Sequence, residues 1–140
     1  MANPDVAVQD LINAASISGL TKSTAVVAPF DGNLIRVPEI QEAENVSGRA
    51  VFVVLDAGGE LLPFLGGAAS HQVANVRVLV RSEAYDYDGG LTLAQAVHAA
   101  VHDKAPSGYY QCRASPLAYE GRDERMHFAW STVVELRRTV

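Results

Sequence analysis

Residues 49–82 constrain the fold most. Val51-Phe52-Val53-Val54-Leu55 is a continuous run of β-branched, aromatic and aliphatic residues, closed by Asp56-Ala57-Gly58-Gly59. Such a run, bounded by a Gly-Gly turn, predicts a strand buried on both faces and therefore placed at the centre of a sheet. Further on, Val76, Val78 and Val80 alternate with Arg77, Leu79 and Arg81, the period of two of a strand with one packed and one open face. Gly58, Gly59, Pro63, Gly66 and Gly67 lie between Asp56 and Val73, so a long loop is expected to join the two strands.

Around this pair the remaining elements follow in order. Asn3-Pro4-Asp5 is a helix start: an amide-capping side chain, a proline suited to the first helical position, and a carboxylate that complements the helix dipole. Val8, Leu11, Ile12 and Ala15 give that helix one apolar face; Gln9, Asp10, Asn13 and Ser16 are expected on the other side, with Gly19 as the stop. Ala25-Val26-Val27 and Leu34-Ile35-Arg36-Val37 are short strand candidates that could pair as a hairpin about Phe30-Asp31-Gly32-Asn33. Glu39, Glu42 and Glu44 read as a solvated acidic loop.

Residues 82–90 are expected to form a loop leading to a second helix, from Leu91 to about Lys104, stopped by Pro106 and Gly108. Its apolar side is Leu93, Val97, Ala100 and Val101, with Gln95, His98 and His102 opposite. A strand should run from Tyr109 to about Ala114, ended by Pro116. In the last strand Met126, Phe128, Trp130, Thr132, Val134 and Leu136 share one face. At about 3.3 Å per residue it reaches roughly 36 Å, long enough to predict a bend or a projection beyond the sheet. Residues 120–125 form the charged tip of a hairpin. The order of elements predicts an α+β fold: one domain over residues 1–140, a mainly antiparallel sheet, two helices on one face and a long hairpin at the end.

Composition narrows the function classes. With 49% apolar and 19% charged residues in a 140-residue chain, a core can form without disulfides or metal. No apolar stretch reaches the roughly 18 residues of a spanning helix, and the N-terminus lacks the order of a signal peptide, so synthesis in the cytoplasm and no membrane partner are expected. A net charge of −5 argues against a dominant phosphate-binding role. Cys112, the single cysteine, reads as a small apolar filler.

Candidate catalytic patterns are incomplete. His98 and His102 have the i, i+4 spacing of helical metal ligands, but Ala99 stands where a zinc protease has its glutamate base. Gly58-Gly59 and Gly66-Gly67 lack the rest of any phosphate-binding loop and read as turns. Ser70 and His71 with Asp56 lack a nucleophile elbow, and Tyr85, Asp86, Tyr87 and Asp88 lack a calcium loop's closing glutamate. No catalytic residue, metal or cofactor is therefore assigned. Arg77 and Arg81, with the tip residues Arg122, Asp123, Glu124 and Arg125, are expected to be interface features, since arginine is enriched in contacts and pairs specifically with carboxylates.

Three segments together resemble a known family. Asn33-Leu34-Ile35-Arg36-Val37-Pro38 followed by residues 50–59 is the first, residues 73–81 (Val73-Ala74-Asn75-Val76-Arg77-Val78-Leu79-Val80-Arg81) are the second, and residues 115–128, from Ser115-Pro116-Leu117 through the charged tip to Phe128, are the third. They resemble the minor capsid and tail terminator (tail completion) proteins of long-tailed bacteriophages. The resemblance implies a structural virion protein, not an enzyme, that is assembled in the host cytoplasm. It implies a homo-hexameric ring capping the head-proximal end of the tail tube, ending polymerisation and offering the head-tail joining surface. Tail tube protein and a neck or head-completion protein would be its partners, and DNA would only pass through the lumen, which suits an acidic chain. Two other readings stay open: a neck or head-completion (connector) protein, and a small metal-dependent enzyme using His98 and His102.

Overall fold

A computed structural model describes residues 3–17, 20–23, 32–36, 48–63, 70–106 and 108–139. The elements are α1 (Pro4–Ala14), β1 (Thr21–Ser23), β2 (Asn33–Arg36), β3 (Ala50–Pro63), β4 (Ser70–Ala84), α2 (Tyr87–Val101), β5 (Gln111–Ala114), β6 (Ala118–Arg122) and β7 (His127–Thr139). Among the described residues seven strands join one mixed sheet in the order β1-β2-β3-β4-β7-β5, with β6 also on β7. The β1–β2 and β2–β3 pairs are parallel and the others antiparallel. The fold is α+β, as the sequence predicts, with both helices on one face.

That face holds the main core. Val51 and Val53 of β3, Val76, Val78 and Val80 of β4, and Trp130, Val134 and Leu136 of β7 meet Val8 and Ile12 of α1 and Leu93, Ala94, Val97 and Val101 of α2. Each such side chain removed from water contributes about 1.5–3 kcal/mol. On the opposite face Ile35, Ala50, Phe52 and Val54 form a second, smaller cluster. The run from Ala50 to Val54 is thus buried on both sides, and only Leu55 emerges, at 42% exposure.

Helix α1 starts at Pro4, but the Asn3 side chain makes no cap bond. Asp5 Oδ1 instead accepts the Val6 amide at 2.9 Å, and Oδ2 lies 3.2 Å from Arg36 Nε. Gln9, expected in solvent, is buried: its Nε2 donates to the Leu34 carbonyl at 3.1 Å, which satisfies both groups where α1 crosses β2. The helix ends at Ala14 and the chain turns at Ser16, which takes a left-handed φ of 53°. Gly19 lies outside the described residues.

Three expectations about strands are corrected. Leu34, Ile35 and Arg36 belong to a strand, but it pairs in parallel with β1 and β3 rather than in a hairpin. Parallel neighbours need crossover connections, which a turn cannot supply. Ala25-Val26-Val27, Val37 and the glutamates at 39, 42 and 44 lie outside the described residues. Second, β3 and β4 are not separated by a loop from Asp56 to Val73; they continue as a hairpin until Pro63 faces Ser70. Gly58 and Gly59 fall inside β3, at the register shift between Ala57 and Glu60, because a backbone without Cβ atoms accommodates a bulge and keeps its ladder on either side. Gly66 and Gly67 lie outside the described residues. Third, the stretch 82–90 is not a loop: β4 runs on to Ala84 and α2 begins at Tyr87, capped by Asp86, whose Oδ1 accepts the Gly89 amide at 3.0 Å.

Gly89 and Gly90 make the first turn of α2, which ends at Val101, short of Lys104. A Cβ at Gly90 would stand 2.7 Å from Trp130 Cζ3 and closer still to the Ser82 Cβ. The glycine is what lets the helix close onto the sheet.

The length of β7 has a simple cause. One edge pairs with β4 from His71 facing Thr139 to Arg81 facing Ala129, while the other is shared by β5, on residues 134–137, and β6, on residues 128–131. At the seam, Ser115 donates its amide to the Val133 carbonyl at 2.9 Å and its hydroxyl oxygen accepts the Val133 amide at 2.9 Å. Pro116, which has no amide to give, follows directly.

Candidate functional site

The hairpin of β6 and β7 carries the charged tip. Asp123 Oδ1 accepts the amides of Arg125 and His127, each at 2.9 Å, so this carboxylate builds the turn, and Met126 takes a left-handed φ of 67°. Arg122, Glu124 and Arg125 are exposed. The tip end of the hairpin is fastened to the end of β4 and to the residue that follows it. Ser82 accepts the His127 Nδ1 proton on its carbonyl and the Phe128 amide on its hydroxyl, both at 2.9 Å, and the Tyr85 amide donates to the Met126 carbonyl at 2.9 Å.

The two strand arginines differ. Arg77 lies half-exposed on the face away from the helices, with Nη2 3.9 Å from Glu120 Oε1 on β6; Ser131 of the intervening β7 donates to the same oxygen. Arg81, expected on the open face, is buried at 9% exposure: its Nε donates to the Gly48 carbonyl at 2.8 Å and its guanidinium lies 5.2 Å from the centre of the Phe52 ring. The period of two places Arg81 on the correct face, but that face is covered at this position. Arg77 pairs with Glu120 across β7, the tip follows Glu120 along the chain with Arg122 opposite Phe128 on the helix side, and Arg81 stands apart from both.

His98 and His102 stack, with ring centres 5.2 Å apart. Their polar atoms are turned to their own fold. His98 Nε2 donates to the Ser115 carbonyl at 3.0 Å, and His102 Nδ1 accepts the Ala114 amide at 3.3 Å, which leaves the proton on Nε2, 3.4 Å from Asp103 Oδ2. The pair clamps the end of α2 to β5. Among the described residues no group of three or more His, Cys, Asp or Glu is gathered as a metal site would need, and no helix is long and apolar enough to cross a membrane. Register separates the remaining pattern: His71 faces Leu62, whereas Asp56 falls near Asn75 and Val76, roughly 15 Å along β4. Cys112 is buried with its thiol directed at the Val101 carbonyl, 3.2 Å away, and burial pushes that thiol up to about 11.

One grouping escapes the sequence reading, which assigns Tyr85 and Tyr87 to a solvated turn. The Tyr87 ring meets Tyr119 at 6.0 Å, Phe128 at 5.3 Å and Trp130 at 5.3 Å, and Tyr119 meets Trp130 at 5.5 Å. Counting outward from the tip at Asp123 would bring Tyr119 opposite Ser131; a register shift between Tyr119 and Gly121 brings it opposite Trp130 instead. Nothing comparable locates Tyr87, whose position depends on the early start of α2.

No family model matches the chain, and no curated protein matches it in sequence. Among solved structures, its fold is similar to that of a chain in the virion of a native gene transfer agent particle, with a TM-score of 0.61 and 11% sequence identity over 96% of this chain and 92% of that one.

Proposed function

We propose that this chain is a structural protein of a phage-like virion, with a structural rather than catalytic role. The observation that carries the reading is the fold likeness to a virion chain over nearly the whole length of both proteins. Within that class the sequence resemblance favours a tail terminator: a homo-hexameric ring, assembled in the host cytoplasm, that caps the tail tube and meets a neck protein on its other side.

The Arg77–Glu120 pair and the exposed tip residues Arg122, Glu124 and Arg125 support a contact between subunits or with the tube. They are charged side chains on paired strands and a tight turn, and charge pairs across a contact fix register and partner choice more than they add affinity. Asp123 and Arg81 serve this contact indirectly, the first by shaping the tip and the second by holding β4 against Gly48.

The test is native mass by light scattering over a range of concentrations, with negative-stain imaging in the presence of tail tubes. Six-fold rings seated on tube ends, lost on reversing Arg77 and Arg125 together, are expected. A species that ignores tail tubes and binds the neck side would replace the terminator reading with the connector one. Hexamers that survive the double reversal would remove these charges from the contact.

A further inference from the structure

We propose that the surface made by Tyr85, Tyr87 and Tyr119, rimmed by Asp86, Asp88 and Glu124, is a docking site for an arginine-bearing segment of a partner protein. The first turn of α2 and the edge strand β6 meet there through the Tyr87 and Tyr119 rings, and the β4–α2 junction is tied to the β6–β7 turn by the Tyr85 amide. Tyr85 is 78% exposed, Tyr87 44% and Tyr119 52%. Tyr87 and Tyr119 pack one side of their rings on the fold and leave the rest in water, and tyrosine is enriched in contact surfaces, where it supplies broad area at small entropic cost.

The platform is ordered before anything binds. Edge-on contacts of Tyr87 with Phe128 and Tyr119 hold those rings in place, and the amide of Tyr85 is tied to Met126 of the hairpin tip. A preformed surface loses less freedom on binding.

Charge identifies the occupant. Asp86 and Asp88 flank Tyr87 in sequence and are exposed, as is Glu124 in the adjoining turn; Oδ1 of Asp86 is already taken by the Gly89 amide. The side chain that meets both features is arginine, because a guanidinium stacks on a ring face and pairs with a carboxylate through a planar fork. Lysine offers only a compact, strongly hydrated charge, and a phosphate backbone would be repelled by the rim. Arg122, opposite Phe128 on β7, and Arg125 of the tip belong to the hairpin, so the acidic part of the surface is its α2 side, at Asp86 and Asp88.

This inference concerns the same end of the molecule as the proposed assembly contact but rests on the rings and carboxylates alone. Its test reads peptide binding, not tube capping, so either can fail without the other. The full chain, labelled with nitrogen-15, is titrated with a blocked peptide alternating glycine and arginine, and with its lysine and glutamate counterparts. Amide shifts are expected in residues 85–90 and 118–128 with the arginine peptide, smaller ones with lysine and none with glutamate. Tyr119→Ser and Asp88→Asn should each weaken binding about fivefold, while Asp10→Asn, on remote α1, should not. Tyr85→Ser, at the most exposed of the three rings, gives a second variant that leaves the core untouched. Equal binding of the glutamate peptide, shifts scattered over remote acidic residues, or unchanged affinity in both tyrosine variants would overturn the proposal.

Discussion

Ser115 and Val133 exchange two hydrogen bonds, one through the Ser115 amide and one through its side chain. The serine hydroxyl therefore does a backbone's work at the one place where the β7 edge passes from β5 to β6. The Ser115 carbonyl also receives the Thr132 hydroxyl at 2.7 Å and His98 Nε2 at 3.0 Å. Ser115→Ala removes only the hydroxyl's share and is expected to cost about 1 kcal/mol, measured as a lower urea midpoint at unchanged slope.

Gly90→Ala sets two effects against each other. Alanine is the better helix former by about 1 kcal/mol, but its methyl would press on Trp130 and Ser82, and overpacking typically costs about 1–3 kcal/mol. Packing is expected to win. The variant should be less stable in urea, with altered Trp130 fluorescence; a stabilised variant would mean that the helix start can shift without cost.

Arg81 and Arg77 stand four residues apart on one strand and should answer the same substitution differently. Arg81→Met keeps the aliphatic stem but leaves the Gly48 carbonyl without its donor, an expected loss of about 1–3 kcal/mol. Arg77→Met breaks only a half-exposed pair with Glu120, with an expected change under about 1 kcal/mol. Thermal melts of the two variants, side by side, check the contrast.

Cys112 makes stability fall at high pH. The unfolded thiol ionises near its ordinary value of 9.0, whereas the folded one holds its proton up to about 11. The unfolded state loses its proton first, so this contribution is fully present below pH 9 and declines as pH rises towards 11. Cys112→Ala removes that part of the slope. The difference between the two proteins' melting temperatures at pH 8, 9 and 10 should shrink step by step, and thiol reagents should reach Cys112 only as the protein opens.

Much of the fold was legible because it rests on residue type and period. The apolar run at Val51, the alternation at Val76 and Trp130, and the spacing of Val8 and Ile12 each encode a face, and the core was assembled from those faces. What stayed hidden depends on partners distant in sequence. Gly58 and Gly59 punctuate a sequence as a turn does, yet β4 opposite them keeps the strand going. Gly89 and Gly90 look like loop residues until Asp86, beside the first, and Trp130, beside the second, are seen to occupy the space a side chain would need. Arg81 obeys its alternation, but nothing local reports that the face it shares with Phe52 is covered. The charged tip of the candidate interface was readable from composition, and the tyrosine platform was not, because its rings come from segments that meet only after β6 and β7 have paired.

The sharing of β7 has a consequence for how the molecule forms. Strands β5 and β6 enter the sheet only through β7, and β4 faces β7 over almost its full length. The β3–β4 and β6–β7 hairpins can each zip from local contacts, but β5 has no template without β7, and the two hairpins are joined only when β7 meets β4. Assembly should therefore proceed from two early hairpins to a late, cooperative docking of β7 on β4, and loop closure over the long separation between those strands sets its rate.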